Sequence, residues 1–275
     1  MRTGEIAVRK RLGKEWGLSA TGLKLLAAGL MVLDHVYQMF AAEGAPLWLT
    51  MAGRPVFPLF LFAAAESFHY TRSKKRYLLR LLLAGWGMSA LTIVLQRAVP
   101  NENVVLMNNA FGTFFVAGFY MLVWDRLVSG VESRSFRRVL AAMLAGLLPV
   151  LAAAPLYGAL VLAAEGRAPL AVLRALSMIS LFLPNLLGVE GGPGLVLLGV
   201  LFYVFRERRD LQIGSLLALS AVVFASGGGI QALMGLAAIP IALYSGERGR
   251  GMKQAFYQFY PAHIAVLYLA SAWSS

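Results

Sequence analysis

Long apolar runs separated by short polar segments fill the chain from residue 19 onward. A bilayer core about 30 Å thick takes roughly 20 apolar residues per helix. The pattern therefore predicts membrane helices near 19–40, 55–69, 77–96, 109–128, 138–164, 193–206, 211–226, 230–244 and 256–272. A further segment at 170–187 is ambiguous: it carries Arg174 and ends around Pro184, so unless it crosses as a tenth span it lies in the interface or enters and returns, and the placing of the basic loops prefers nine crossings. The expected fold is all-α, a polytopic transmembrane bundle of about nine or ten spans. Pro149 and Pro155 allow a kink in the long run at 138–164.

The polar segments between the runs are basic. Arg9, Lys10, Arg11 and Lys14 precede the first span, and Arg72, Lys74, Lys75 and Arg76 follow the second. Arg134, Arg137 and Arg138, then Arg206, Arg208 and Arg209, then Arg248, Arg250 and Lys253 mark three more loops. Cations in short loops flanking apolar spans are what the positive-inside bias produces, which puts the N-terminus and these loops in the cytoplasm and the protein in the cytoplasmic membrane. Residues 1–18 read as a basic cytoplasmic segment ahead of one membrane domain over 19–275, with the first run a retained helix rather than a cleaved signal.

Composition agrees, with 59% hydrophobic against 14% charged residues. The net charge of +12 lies in span-flanking clusters and so argues for a lipid bilayer partner and against nucleic acid. No cysteine is present, so disulfides, thiolate metal sites and a protein thioester intermediate are excluded.

Chemistry concentrates in three places. In the first span, Asp34 and His35 stand side by side within "LKLLAAGLMVLDHVYQMF". An ionisable group at mid-bilayer depth costs roughly 3 kcal/mol on insertion scales and persists where it meets a cavity, a partner or a substrate. Neighbours on a helix diverge by about 100°, so the two cannot readily bond each other and at least one must meet another helix. The pair either pins helices together or serves chemistry. In the second, Glu66, His69 and Tyr70 share a helical face, followed by Arg72, Lys74, Lys75, Arg76 and Arg80. Arg76 and Arg80 are one turn apart, which suits either snorkelling to the interface or a phosphate clamp. In the third, Tyr257, Tyr260 and His263 recur at spacing three along the last span, His263 just after Pro261. No histidines stand four apart and no H-E-x-x-H occurs, so no metal is expected.

Three blocks, "LKLLAAGLMVLDH" at 23–35, "GRPVFPLFLFAAAESFHYTRSKKRYLLRLLL" at 53–83 and "LYSGERGRGMKQAFYQFYPAHIAVLYL" at 243–269, with a weaker fourth at 189–206, resemble the TraX family. These are membrane proteins of conjugation systems associated with N-acetylation of the pilin subunit, related to the broader superfamily of membrane acyltransferases. The resemblance implies functional roles for Lys24, Asp34, His35, Arg54, Pro58, Glu66, His69, Arg76, Arg80, Tyr260, Pro261 and His263. The chain departs from the family at Ser67, Ser245 and Glu190, and its 139–187 region is longer than usual.

The activity so implied is transfer of an acetyl group from acetyl-CoA, as cosubstrate, to an amine or hydroxyl of a peptide, lipid or glycan acceptor presented in the membrane. Arg72, Lys75, Arg76 and Arg80 are expected to bind the coenzyme's phosphates. His35 is the expected base, a role that needs a pKa of about 7. Asp34 or Glu66 would orient a histidine, and His263 or Tyr260 would donate to the oxyanion. Lys24, Arg54 and His69 are expected to support the site. Two rivals use the same residues differently: a proton- or anion-coupled transporter, and a non-catalytic membrane scaffold for surface assembly.

Overall fold

The computed structural model describes residues 17–166 and 168–274, and among them the chain is helical almost throughout. No strand occurs among the described residues; one isolated parallel bridge joins Leu18 to Tyr244. Of the basic segment at 1–18, only Gly17 and Leu18 lie within the described residues. In chain order the helices are α1 (Ala20–Phe40), α2 (Trp48–Gly53), α3 (Val56–His69), α4 (Lys74–Ala98), α5 (Ala110–Glu132) and α6 (Phe136–Leu151). They continue as α7 (Ala154–Ala164), α8 (Leu170–Phe182), α9 (Gly192–Val204), α10 (Arg209–Ala225), α11 (Ala238–Ala242) and α12 (Lys253–Ser274). Three-ten segments cover Ala41–Glu43 and Gly229–Ala237.

Among the described residues, five stretches are long and apolar enough to cross a bilayer: Ala20–Glu43, Trp48–His69, Lys74–Ala98, Ala110–Glu132 and Phe136–Ala164. With the shorter apolar helices at Leu170–Phe182, Gly192–Val204 and Gly229–Ala242, this is the build of a multi-pass membrane protein. The expected span at 138–164 is broken into α6 and α7. Pro155 lacks an N–H at the start of α7, and Leu186 N–H takes up the Pro149 carbonyl at 2.9 Å. The ambiguous segment is helical only as α8, whose 13 residues rise about 20 Å, short of the hydrocarbon thickness. The expected helix at 230–244 is mostly three-ten, with α11 as its regular end.

The chain divides into two compact units. The first comprises Met1–Ala63, Leu95–Val105 and Phe205–Ser275, and the second Ala64–Val94 and Leu106–Val204. In lipid no apolar driving force separates helix from solvent, so close packing and interhelical polar contacts hold such units. The first unit is packed around Leu23, Met31, Phe62, Leu216, Ile264 and Tyr268, and the Tyr268 hydroxyl donates to Val99 O at 2.8 Å. In the second, Gly118 of α5 lets Leu78 and Phe68 approach so closely that an added Cβ would lie 2.9 Å from Leu78.

α1 begins at Ser19, whose hydroxyl accepts from Gly22 N–H at 3.1 Å. Its buried stripe of Leu23, Ala27, Ala28, Met31, His35 and Met39 includes one ionisable side chain, His35, only 6% exposed.

Candidate active site

Within the first unit, the stripe of α1 carries His35 to α12, where His263 waits on the adjoining face. His35 Nδ1 and His263 Nε2 are 2.7 Å apart, and the rings lie nearly parallel with centroids 4.9 Å apart. His263 Nδ1 is 2.8 Å from Phe259 O. A carbonyl only accepts, so His263 Nδ1 carries the proton, and in a neutral ring Nε2 is then the acceptor. It follows that His35 donates from Nδ1, and that a neutral His35 bears its lone pair at Nε2. One backbone carbonyl thus sets both tautomers in sequence. Tyr260, buried, approaches both rings, 6.4 Å from His35 and 5.9 Å from His263 between centroids. Phe259 stacks on His263 at 4.8 Å.

Asp34, one residue earlier, turns to the opposite partner set. Its carboxylate accepts from the buried Thr50 hydroxyl of α2 at 2.7 Å and pairs with the Arg54 guanidinium. Arg54 also donates from Nε to Thr50 O at 3.0 Å and from Nη1 to Gln231 Oε1 at 2.7 Å, so one guanidinium ties α1, the end of α2 and the three-ten segment together. Both members of the ion pair are about a quarter exposed, at 24% for Arg54 and 25% for Asp34. The contact needs a glycine: a Cβ on Gly53 would sit 2.3 Å from Asp34 Cβ.

Lys24 is half-buried on the face of α1 that also bears Thr21, Ala28, Met31 and His35. Thr21 Oγ1 donates to Arg248 O at 3.1 Å and to Arg250 O at 2.6 Å.

The remaining expected residues belong to the second unit. Glu66 and His69 are half-buried near the end of α3, and the exposed Tyr70 ring meets His69 edge-on at 4.8 Å. Arg72, Lys75, Arg76 and Arg80 are all exposed. Arg76 and Arg80 lie on the side of α4 that continues as exposed Leu79, Leu83 and Trp86, opposite the buried stripe of Tyr77, Leu78, Leu81, Gly85 and Met88.

The inward cation of α4 is Lys74, which the expected site did not include. Its ammonium pairs with Asp125, donates to Tyr203 OH at 3.0 Å and stands 5.0 Å from the Phe68 ring centroid. Tyr203 OH donates to Asp125 Oδ1 at 2.8 Å, closing a polar knot among α4, α5 and α9. Lys74 stands three, four and seven residues before Tyr77, Leu78 and Leu81, a spacing that marks it as inward. Asp125, inside the apolar run "FYMLVWDRLV", was a second legible signal. Thr50 and Gln231 of the Asp34 network left no such trace. Among the described residues no three His, Asp or Glu side chains gather closely enough to hold a metal ion.

The family model described as TraX protein matches residues 19–271 of this chain. The probable fimbrial assembly protein FimC, serogroup H1, of Dichelobacter nodosus is 27% identical over 267 residues, covering 90% of this chain and 94% of that one. No solved structure matches.

Proposed function

The chain belongs to the TraX family, and we propose that it is an acetyltransferase of the cytoplasmic membrane that takes its acetyl group from acetyl-CoA. The acceptor is an amine or hydroxyl presented in the membrane, such as the N-terminus of a pilus or fimbrial subunit, a class of structure that the name of its Dichelobacter nodosus relative also points to. The observation that carries this reading is the run Phe259 O, His263, His35, in which each hydrogen bond fixes the tautomer of the next ring and puts a lone pair on His35 Nε2.

In the proposed reaction His35 Nε2 takes the proton of the acceptor amine or hydroxyl as that atom attacks the thioester carbonyl carbon. The bond to nitrogen or oxygen forms, the C–S bond breaks, and the coenzyme leaves as a thiolate that collects the proton from His35. While His35 is cationic, its Nδ1–H donates to neutral His263, a contact that strengthens as charge develops. Both ring nitrogens of His263 are committed, to His35 and to Phe259 O, so its role is to position the base. Tyr260, against both rings, is the residue proposed to donate to the oxyanion. Asp34 and Arg54 hold α1, α2 and the three-ten segment in register around the imidazoles.

The test is transfer itself. Purified full-length protein in lipid nanodiscs is given acetyl-CoA and a peptide bearing a free N-terminal amine, and the peptide is weighed by mass spectrometry. Gain of one acetyl group is expected, with His35→Ala slower by about 10²–10⁴-fold. An equally active His35→Ala protein of unchanged melting temperature overturns the assignment of the base.

A further inference from the structure

In the second unit α5 and α6 form a helical hairpin joined by residues 133–135. The two helices touch at two levels. Near the turn Gly130 admits α6 so closely that an added Cβ would lie 2.9 Å from Val139 Cγ2 and 3.0 Å from its amide nitrogen. Farther along, a Cβ on Gly146 would meet Val123 Cγ1 at 3.7 Å, and the Gly146 carbonyl accepts from Tyr120 OH at 3.0 Å. Between these levels α6 contributes the short side chains of Ala141 and Ala142, and a groove of about 420 Å³ remains, lined by the two alanines with Asp125, Arg126, Ser129 and Arg138. Arg126, Ser129, Arg138 and Ala141 are exposed, so the groove opens on the protein surface.

The lining is cationic. Its one carboxylate, Asp125, is already neutralised: Lys74 pairs with it, and Tyr203 OH donates to its Oδ1 at 2.8 Å. Among the described residues neither arginine of the groove is paired with a carboxylate; Arg138 donates from Nη1 to Ser133 Oγ at 3.3 Å. Between residues 126 and 138 four arginines stand against one carboxylate, Glu132. Two uncompensated guanidiniums around one hollow repel each other until an anion comes between them.

The surface beyond the charges identifies that anion. One and two turns along the Arg126 face of α5 come half-buried Leu122 and Phe119, and along the Ala141 face of α6 come Leu144 and Leu148, 57% and 55% exposed. From Arg138 to Leu148 α6 rises about 15 Å, half of a hydrocarbon core about 30 Å thick. A ligand with its anion between the arginines therefore meets an apolar track one leaflet long. A soluble phosphate makes no use of that track. A phospholipid of net negative charge fills both parts, its phosphate at the arginines and an acyl chain along the track.

We propose that the groove between α5 and α6 binds an anionic phospholipid, with Arg126 and Arg138 holding the phosphate and Ser129 donating to one of its oxygens. A zwitterionic headgroup fits less well, because its own cation would stand among the four arginines of the turn. Guanidinium-to-phosphate contacts are charge-assisted and, singly, are worth about tenfold or more in affinity. The site lies wholly within the second unit and does not depend on acetyl transfer.

Full-length protein in detergent micelles is titrated with dioleoylphosphatidylglycerol and followed by native mass spectrometry, with dioleoylphosphatidylcholine as the zwitterionic comparison and glycerol 3-phosphate as the soluble anion. Phosphatidylglycerol is expected to bind about tenfold or more tighter than phosphatidylcholine, and glycerol 3-phosphate not to displace it. Arg126→Gln with Arg138→Gln should weaken phosphatidylglycerol binding about 100-fold, while Arg126→Lys with Arg138→Lys should keep most of it. Arg134→Gln with Arg137→Gln removes the same charge from the same turn but outside the groove, and should change affinity by about threefold at most. Ala141→Phe, a substitution at an exposed position that fills the groove and keeps both arginines, should weaken binding about tenfold. Equal affinity for the two lipids, equal losses from the two arginine pairs, or an Ala141→Phe protein that binds like wild type overturns the site. Displacement by glycerol 3-phosphate makes it a site for soluble anions and overturns the lipid as its occupant.

Discussion

The sharpest consequence of the imidazole pair concerns His263. Replacing it by Leu removes the acceptor at Nε2 that faces His35 Nδ1 at 2.7 Å, and with it the link to Phe259 O. In the ground state this is a bond between two neutral rings, worth about 1 kcal/mol. During proton transfer His35 is cationic, and the same bond, now charge-assisted, is worth about 1.5–3 kcal/mol. Only the difference between the two, about 0.5–2 kcal/mol, acts on the barrier, which translates into about a 2- to 30-fold slower kcat, with KM little changed because free and substrate-bound enzyme lose the same ground-state contact. His263→Gln, whose amide oxygen can accept from His35, should recover part of the rate. The effects of His35→Ala and His263→Leu should not add: without the base there is nothing for His263 to position. The assay is release of free coenzyme A thiol, read with a thiol reagent; the chain has no cysteine, so the protein gives no background. A His263→Leu enzyme as fast as wild type, or a double variant slower than His35→Ala by the full His263 factor, refutes the relay.

The other expectations are more direct. Because proton abstraction needs the lone pair on His35 Nε2, the rate should climb from acid pH to a plateau; a rate that falls as pH rises through that range contradicts the role. Gly53→Ala forces a Cβ to within 2.3 Å of Asp34 Cβ and 2.7 Å of its Oδ1, so α2 must shift from α1. About 2–3 kcal/mol of destabilisation is expected, seen as a lower melting temperature in detergent, and an unchanged melting curve removes the packing argument. Exchanging the neighbours, Asp34→His with His35→Asp, keeps composition while turning each group by about 100°; activity and stability should both be lost, and an active protein means the helix faces do not matter.

The helical membrane character was legible because apolar runs of span length need no tertiary knowledge. So was the divergence of Asp34 and His35, since a 100° step is a property of any helix. What each neighbour meets was not legible. His35 and His263 stand 228 positions apart, and Arg54 reaches Gln231 across 177, contacts that only packing decides. The role of orienting the base illustrates the limit. Composition favours a carboxylate, yet Asp34 is spent on Arg54 and Thr50, and a histidine backed by a main-chain carbonyl faces His35. Carbonyls carry no sequence signal. On α4 charge and spacing draw attention to Arg76 and Arg80, which are exposed, while helical phase also places Lys74 inward, beside Asp125.

The two partner sets of one dipeptide divide the cost of polarity in lipid. A full charge at depth is tolerable only when paired, and removing one member of such a pair costs about 3 kcal/mol. The chain gives that burden to Asp34, whose partner Arg54 also ties three segments together. Its neighbour His35, at 6% exposure, can then face α12 and pair with a second imidazole. A carboxylate behind His35 would hold the imidazole more strongly, but it would add an ion to the interior and favour a permanently cationic base. In the proposed reaction a histidine in that position would support the charge while the proton is in transit and carry none before and after. The arrangement suits a base that must be neutral at rest within a bilayer, and it requires that the anchoring charge stand a quarter turn or more away, as adjacent positions on α1 provide.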